Sequence, residues 1–251
     1  MPIIVKGKYL NGKPPVVCVP VIEKSFAGII DQVSKLCDKD VSMIEWRADY
    51  FEELLDIDRV KDLLNHLRDV TKNVLFLITI RSKSQGGECE LSQDRIKELL
   101  LAMAECHVAD FMDVEYFFFE DSKTIISDLQ GKGTLVIASH HDFEETKRGD
   151  VLENWLYEMK EADPDLIKLA VMPKCFSDVL TLMEVGSVFS EKNPDISVVT
   201  ISMDELGVLS RISGEVTGSV ITFGTEGNLS APGQIPREDL EEMLSLIHKY
   251  A

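Results

Sequence analysis

Short apolar runs recur along the whole chain, at 16–21 (VVCVPV), 43–49 (MIEWRAD), 74–82 (VLFLITIRS), 111–117 (FMDVEYF), 135–142 (LVIASHHD), 166–172 (LIKLAVM), 196–203 (ISVVTISM) and 219–224 (SVITFG). Most are apolar throughout instead of strictly alternating, the pattern of parallel strands covered on both faces. Between them lie charged stretches with helical spacing near 24–38, 56–69, 92–107, 121–130, 150–162, 176–191, 205–213 and 237–249. In the third of these, Ser92 offers an N-cap and Ile96, Leu99, Leu100 and Met103 form the stripe of a helix lying on a sheet. Eight strands alternating with eight helices in 251 residues predict an α/β fold of the (β/α)8 TIM-barrel kind. The competing doubly wound sheet, in its nucleotide-binding form, would carry a Gly-rich fingerprint after the first strand, and none is there.

Residues 2–10 (PIIVKGKYL), followed by the Asn11-Gly12 turn signal, predict an N-terminal β-hairpin that caps the barrel floor, with the arm spanning 1–15. No long repeat, low-complexity tract or Pro/Ser-rich linker interrupts the pattern, so one domain over 1–251 is expected. Gly131-Lys132-Gly133 precedes a strand and reads as a helix C-cap.

Charge narrows the partners. With 26 Lys+Arg against 44 Asp+Glu the net charge is −18, which opposes binding to nucleic acid or to an anionic membrane. The five cysteines are widely spread and lack any C-x-x-C pair, so neither a disulfide framework nor a zinc knuckle is expected, and a reducing, cytoplasmic setting fits. The N-terminus lacks an apolar stretch of signal-peptide length, and no run approaches the ~20 apolar residues of a membrane span. Without an export signal, the glycosylation pattern Asn228-Leu229-Ser230 is expected to carry no sugar.

In a barrel of this type the strand C-termini form the active face, and seven of the eight runs contribute candidate side chains there, all but Met203 polar: Glu45, Arg47 and Asp49; Arg81; Asp113 and Glu115; Ser139, His141 and Asp142; Lys168; Met203; Thr222. Lys168 interrupts an apolar strand. Burial there makes it pair or lose its proton, and a neutral amine is a nucleophile toward a carbonyl; the alternative is a strand-end lysine reaching solvent. His141 ends the preceding strand at the same mouth and suits general acid–base work, with a structural histidine or a metal pair with His140 as alternatives. Neighbours on a strand face opposite ways, which counts against the metal pair. Arg47, Arg81 and Arg211 together predict a positive well for a small carboxylate, although Glu45 is a ready partner for Arg47. Gln85-Gly86-Gly87 after the third strand and Leu229-Ser230-Ala231-Pro232-Gly233-Gln234 after the eighth are either ordinary turns or, for the second, a lid offering the Ser230 hydroxyl and the Gln234 amide.

These residues, taken in order, resemble the type I 3-dehydroquinate dehydratases of the shikimate pathway. The matching motifs are Glu45-Trp-Arg-Ala-Asp49, Arg81-Ser with Gly86-Gly87, Asp113-Val-Glu115, Ser139-x-His141-Asp-Phe143, Lys168-x-Ala-Val-Met-Pro173, Ser210-Arg211, Gly218-Ser-x-x-Thr-Phe223 and Ser230-Ala-Pro-Gly-Gln234. The resemblance implies a homodimeric enzyme of aromatic amino acid biosynthesis that needs no cofactor and no metal. Lys168 would form an imine with the C3 ketone of 3-dehydroquinate, and His141 would move the C2 proton and protonate the departing C1 hydroxyl. Arg211 would clamp the carboxylate, with Glu45, Arg47, Arg81, Ser230 and Gln234 holding hydroxyls and lid. Two positions depart from the family pattern. Gln85 stands where many members carry Glu to orient the histidine, with Glu115 a candidate substitute, and Asp204 stands where glycine is usual and would begin a helix as its cap or alter substrate affinity. The chain ends one helix after the eighth strand, so no attached shikimate dehydrogenase domain is expected. Two other readings remain at this point: a Schiff-base aldolase on the same barrel, whose phosphate Glu226 would repel, and a non-catalytic carboxylate-binding barrel.

Overall fold

The computed structural model describes residues 3–227 and 230–251. Pro2 of the expected arm, and Asn228 and Leu229 of the glycosylation-like triplet and lid, lie outside the described residues.

The chain opens with an antiparallel hairpin, β1 (Ile3–Val5) and β2 (Lys8–Leu10). Eight parallel strands follow: β3 (Val16–Val21), β4 (Met43–Arg47), β5 (Leu75–Thr79), β6 (Phe111–Glu115), β7 (Leu135–Asp142), β8 (Leu166–Val171), β9 (Ser197–Ser202) and β10 (Ile221–Thr225). They pair in sequence order, and β10 pairs back onto β3. The ring closes between β9 and the approach to β10 through a Val198–Ser219 bridge and the hydrogen bond from the Val220 N–H to the Val198 carbonyl, 2.9 Å. This is the expected barrel. The outer layer is α1 (Phe26–Asp38), α2 (Ile57–Val70), α3 (Gln93–Ala104), α4 (Ser122–Gly131), α5 (Gly149–Lys160), α6 (Phe176–Lys192), α7 (Val208–Ile212), α8 (Gly214–Thr217) and α9 (Arg237–Tyr250). Among the described residues no helix is long and apolar enough to cross a membrane.

The all-apolar strands follow from double coverage. In β4, Ile44 and Trp46 face the helices with Leu63 and Phe76, while Met43 faces the barrel interior with Cys18, Leu75 and Phe111. The side chains of Glu45 and Arg47, alternating with these, therefore project into the upper interior. At the floor, the fully buried Leu10 plugs the interior cluster. Lys6 staples the arm there, its ammonium donating to the Thr71 and Val74 carbonyls, both 2.9 Å, and to Asp110 at 2.7 Å.

Three details differ from expectation. Strands β4, β5 and β6 stop two or three residues early, so Arg81 lies in the segment after β5. The helix expected over 205–213 is a short 3-10 turn (Glu205–Gly207) and α7, after which the helix breaks at Ser213, whose backbone leaves the helical region at φ −96°, ψ 6°. A two-residue strand, β11 (Ile235–Pro236), adds to β10 where the pattern gave no strand, because it is too short for a period to register.

Candidate active site

The strand register sets the geometry. Ser139 on β7 lies opposite Lys168 on β8, and His141 lies opposite Ala170, so lysine and histidine share the interior face of adjacent strands at the same end. Around them one cavity is lined by Glu45, Arg47, Arg81, Gln85, Arg211, Ser230 and Gln234. His140 points the other way, edge-on to Trp155 with ring centroids 4.7 Å apart. The two histidines therefore do not form a pair.

Lys168 is 5% exposed. Its ammonium sits 4.1 Å from the centre of the Phe223 ring, and no described residue hydrogen-bonds to it. Burial lowers its pKa; Glu45 and Asp113 partly oppose that, and Arg81 adds to it. A buried ammonium with no hydrogen-bond acceptor among the described residues gives up its proton more readily than a solvated one, and the neutral amine is the state a carbonyl needs. Cys18 lies in the same interior cluster, its thiol pushed up by burial and then by Glu45.

His141 is buried, and burial, then the charges of Arg81 and Lys168, hold its pKa well below the ordinary value. At neutral pH the imidazole is a free base. Its ring stacks on Phe143, with planes 23° apart. Gln85 supplies the polar contact: its side-chain oxygen accepts from the His141 backbone N–H at 2.8 Å and lies 3.3 Å from Nδ1. Glu115, the carboxylate considered for that role, instead accepts from Arg81 at 2.9 Å and from the Ser82 N–H at 2.9 Å. The register explains this, since Glu115 faces Ser139 across the β6–β7 pair, below the histidine.

The three arginines are not equivalent. Arg47 forms two bonds to Asp49, at 2.8 and 2.7 Å, and not to Glu45, whose carboxylate accepts from Thr79 at 2.8 Å. Burial alone would lower the Arg47 pKa, but the Asp49 bonds and charge more than offset it. Arg81 lies 2.9 Å from Asp113 and from Glu115, and these carboxylates likewise outweigh its burial and raise its pKa. Ser139 ties this network together, donating to Asp113 at 2.6 Å. Arg211 has no such partner. It is 2% exposed, its Nη2 donates only to the Pro232 carbonyl at 2.9 Å, its Nε is buried with no partner, and burial drives its pKa down to about 10. The positive well expected from three arginines is therefore the work of one, because Asp49, Asp113 and Glu115 neutralise the others. Thr222 fixes that one in place by donating to the Arg211 carbonyl at 2.8 Å.

Ser230, Ala231 and Gln234 line the mouth of the cavity. Gln234 donates to the Ser230 hydroxyl at 3.0 Å and accepts from the Ser230 N–H at 3.0 Å. Pro232 also receives the Asp204 N–H, at 3.3 Å. Gly233, at φ +73°, packs so tightly that a Cβ there would stand 2.1 Å from the Asp204 carbonyl oxygen. Asp204 makes no side-chain cap bond, against one of its two expected roles, and holds φ 61°, ψ −179°. That conformation is essentially reserved for glycine. Glu226 at the lid's other end binds Lys39 and Arg237. Sequence reasoning gave no role to Phe143, Phe223 or Thr79. Phe143 and Phe223 sit in the matched motifs and Thr79 ends β5, but which ring or hydroxyl meets which partner depends on register.

Comparison with known proteins assigns the family. A model described as type I 3-dehydroquinase matches residues 17–251. The 3-dehydroquinate dehydratases of Clostridium botulinum and Bacillus licheniformis are 38% and 37% identical over 246 residues, covering 98% of this chain and 97% of each relative. Among solved structures, the type I 3-dehydroquinate dehydratase from Clostridium difficile with covalently modified comenic acid superposes with a TM-score of 0.96 at 35% identity, covering 100% of this chain and 99% of that one. The 3-dehydroquinate dehydratase from Geobacillus kaustophilus gives 0.95 at 29% identity, covering 100% and 98%. With a family match over nearly the whole chain and relatives above one-third identity, the protein belongs to the type I 3-dehydroquinases.

Proposed function

We propose that this chain dehydrates 3-dehydroquinate to 3-dehydroshikimate through an imine on Lys168, with His141 as general base and then general acid. The observation that carries the reading is a buried lysine amine with no hydrogen-bonded partner, sharing one cavity with a neutral histidine and an arginine that lacks a counter-ion.

The Lys168 amine adds to the C3 carbonyl and water leaves, giving a protonated imine. His141 takes a proton from C2, and the electron pair moves into the iminium to give an enamine. The pair then returns to expel the C1 hydroxyl, which leaves as water with the proton from the imidazolium. Water adds at C3 of the conjugated imine and releases 3-dehydroshikimate and the free amine. Arg211 holds the carboxylate, a role supported by its unpartnered Nε, while Glu45, Arg47, Ser230 and Gln234 contact ring hydroxyls and the closing lid. Arg81 and Glu115 act below this layer as a neutralised brace.

The arm and barrel form one folding unit in this reading, supported by the Lys6 staple. The chain works as a cytoplasmic homodimer, with five unpaired cysteines supporting the reducing compartment. Helices α6 to α9 pack together and each exposes apolar side chains, among them Phe176, Leu180, Leu209, Val216 and Leu246, which supports contact with a second copy. Sedimentation of wild type and Val216→Glu tests the dimer.

Borohydride reduction in the presence of 3-dehydroquinate, with intact mass and peptide mapping, tests the mechanism. A reduced adduct on Lys168, absent from Lys168→Ala, is expected. Turnover by folded protein with no trappable adduct overturns it.

A further inference from the structure

Resting on the reading of His141 as the acid–base group, we propose that Gln85 is its positioning residue: the Gln85 carbonyl fixes the imidazole with hydrogen on Nδ1 and Nε2 bare, and supplies no counter-ion to the imidazolium.

The tautomer follows from donors and acceptors alone. The His141 backbone N–H can only donate, so the Gln85 atom 2.8 Å from it is the side-chain oxygen. That same oxygen lies 3.3 Å from Nδ1, and an oxygen lone pair in that position requires a hydrogen on the ring nitrogen. Nε2 is then the lone-pair nitrogen. One oxygen thus grips both backbone and ring of the histidine, so neither can rotate independently of the loop that carries Gln85.

That loop is itself rigid. Gln85 ends a 3-10 turn (Lys83–Gln85) whose C-cap, Gly86, is left-handed at φ +80°. A Cβ on Gly86 would stand 2.3 Å from the Phe143 ring, and one on Gly87 would stand 2.1 Å from the Arg81 carbonyl oxygen. The ring stacked on His141 and the turn carrying Gln85 are therefore packed against each other, and the imidazole is held between them.

The charged surroundings make the choice of an amide consequential. The groups bearing most strongly on the ring are Arg81 from the segment after β5, Lys168 from β8 and Arg47 from β4, with His140 on its own strand. Arg211 of α7 lines the same cavity. The carboxylates nearby are committed elsewhere, Glu45 to Thr79, Glu115 to Arg81 and Ser82, Asp113 to Ser139 and Arg81. An imidazolium formed in this setting lacks an anion and surrenders its proton readily, which suits delivery of that proton to the leaving hydroxyl. A carboxylate at position 85 would hold the proton instead, raising the midpoint of His141 protonation by about one to three pH units.

The test is independent of turnover. Nitrogen-15 NMR of histidine-labelled protein reads the His141 tautomer in wild type, then its titration midpoint in wild type, Gln85→Glu and Gln85→Met. A pyrrole-like Nδ1 and pyridine-like Nε2 in wild type, a midpoint at least one unit higher in Gln85→Glu, and a mixed tautomer in Gln85→Met are expected. The acid limb of kcat/KM moves upward with the Gln85→Glu midpoint while KM stays within about twofold. Hydrogen on Nε2 in wild type overturns the proposal without any variant having to fold, and so does an unchanged midpoint in folded Gln85→Glu. Neither result touches the Lys168 adduct, whose absence would count against the imine mechanism alone.

Discussion

Replacing Arg211 with methionine separates stability from binding. The guanidinium is charged at neutral pH in both folded and unfolded chains, yet in the folded one burial has lowered its pKa from 12.5 to about 10. A folded-state pKa below the unfolded value means the charged form is disfavoured by folding, and the cost is fully present at every pH below about 10. At 1.36 kcal/mol per unit it comes to about 3 kcal/mol. Methionine removes that cost and forfeits the single bond to Pro232, worth about 1 kcal/mol, so the ligand-free variant gains about 2 kcal/mol. At about 2–4 °C per kcal/mol for a chain this long, its melting temperature rises by roughly 4–8 °C. Binding moves oppositely. A substrate carboxylate that pairs with Arg211 recovers most of the same 3 kcal/mol, so KM rises by roughly 100-fold, with kcat little changed because the carboxylate stays paired throughout the reaction. The assays are ligand-free thermal melts and initial rates from ultraviolet absorbance of the conjugated enone product. A lower melting temperature, or an unchanged KM, would refute the claim that this cation is held without a counter-ion for the substrate.

Three further substitutions test other joints. Gly86→Ala forces a Cβ into the Phe143 ring at a left-handed position and shifts Gln85 off the histidine; kcat should fall at least about tenfold with a loss of about 1–3 kcal/mol in urea melts, and wild-type kcat would show the turn to be unimportant. His141 has a folded pKa far below its unfolded value near 6.5, so on acidification the unfolded chain takes up the proton first and stability falls with pH. His141→Asn should abolish this part of the pH slope below about pH 6.5 in paired denaturant melts; an identical slope in both proteins would mean that the imidazole titrates normally. Asp204→Gly should relieve about 1–3 kcal/mol of backbone strain against about 0.5–1 kcal/mol of added chain entropy, raising the melting temperature by a few degrees, and a lower value would show the backbone there to be relaxed.

The barrel was legible because burial on both faces erases alternation and leaves compact apolar words such as LIKLAV, where a single lysine stands out. Lys168 within β8 and His141 near the end of β7 could be picked out for that reason, and Arg211 as a cation in the segment after β9. Partnership was not legible. Arg47 had a carboxylate two residues away on either side, and whether Glu45 or Asp49 takes it depends on the 3-10 turn at Ala48–Tyr50, which swings Asp49 back under the guanidinium. Gln85 departs from the Glu usual at its position, so a contact with the histidine could not be carried over, and its target lies 56 positions on, reached only through the left-handed Gly86. The Asp204 backbone likewise registers only as a dihedral angle.

Leu10, plugging the floor, and the Lys6 staple make the barrel a vessel closed below, with Ser230 and Gln234 among the described residues at its mouth. For the proposed reaction this bears on where water comes from. Imine formation and elimination each release one molecule of water inside the vessel, and hydrolysis of the product imine consumes one. The last step can therefore use water that the earlier steps leave in the chamber, and the mouth has to open for capture and for release alone.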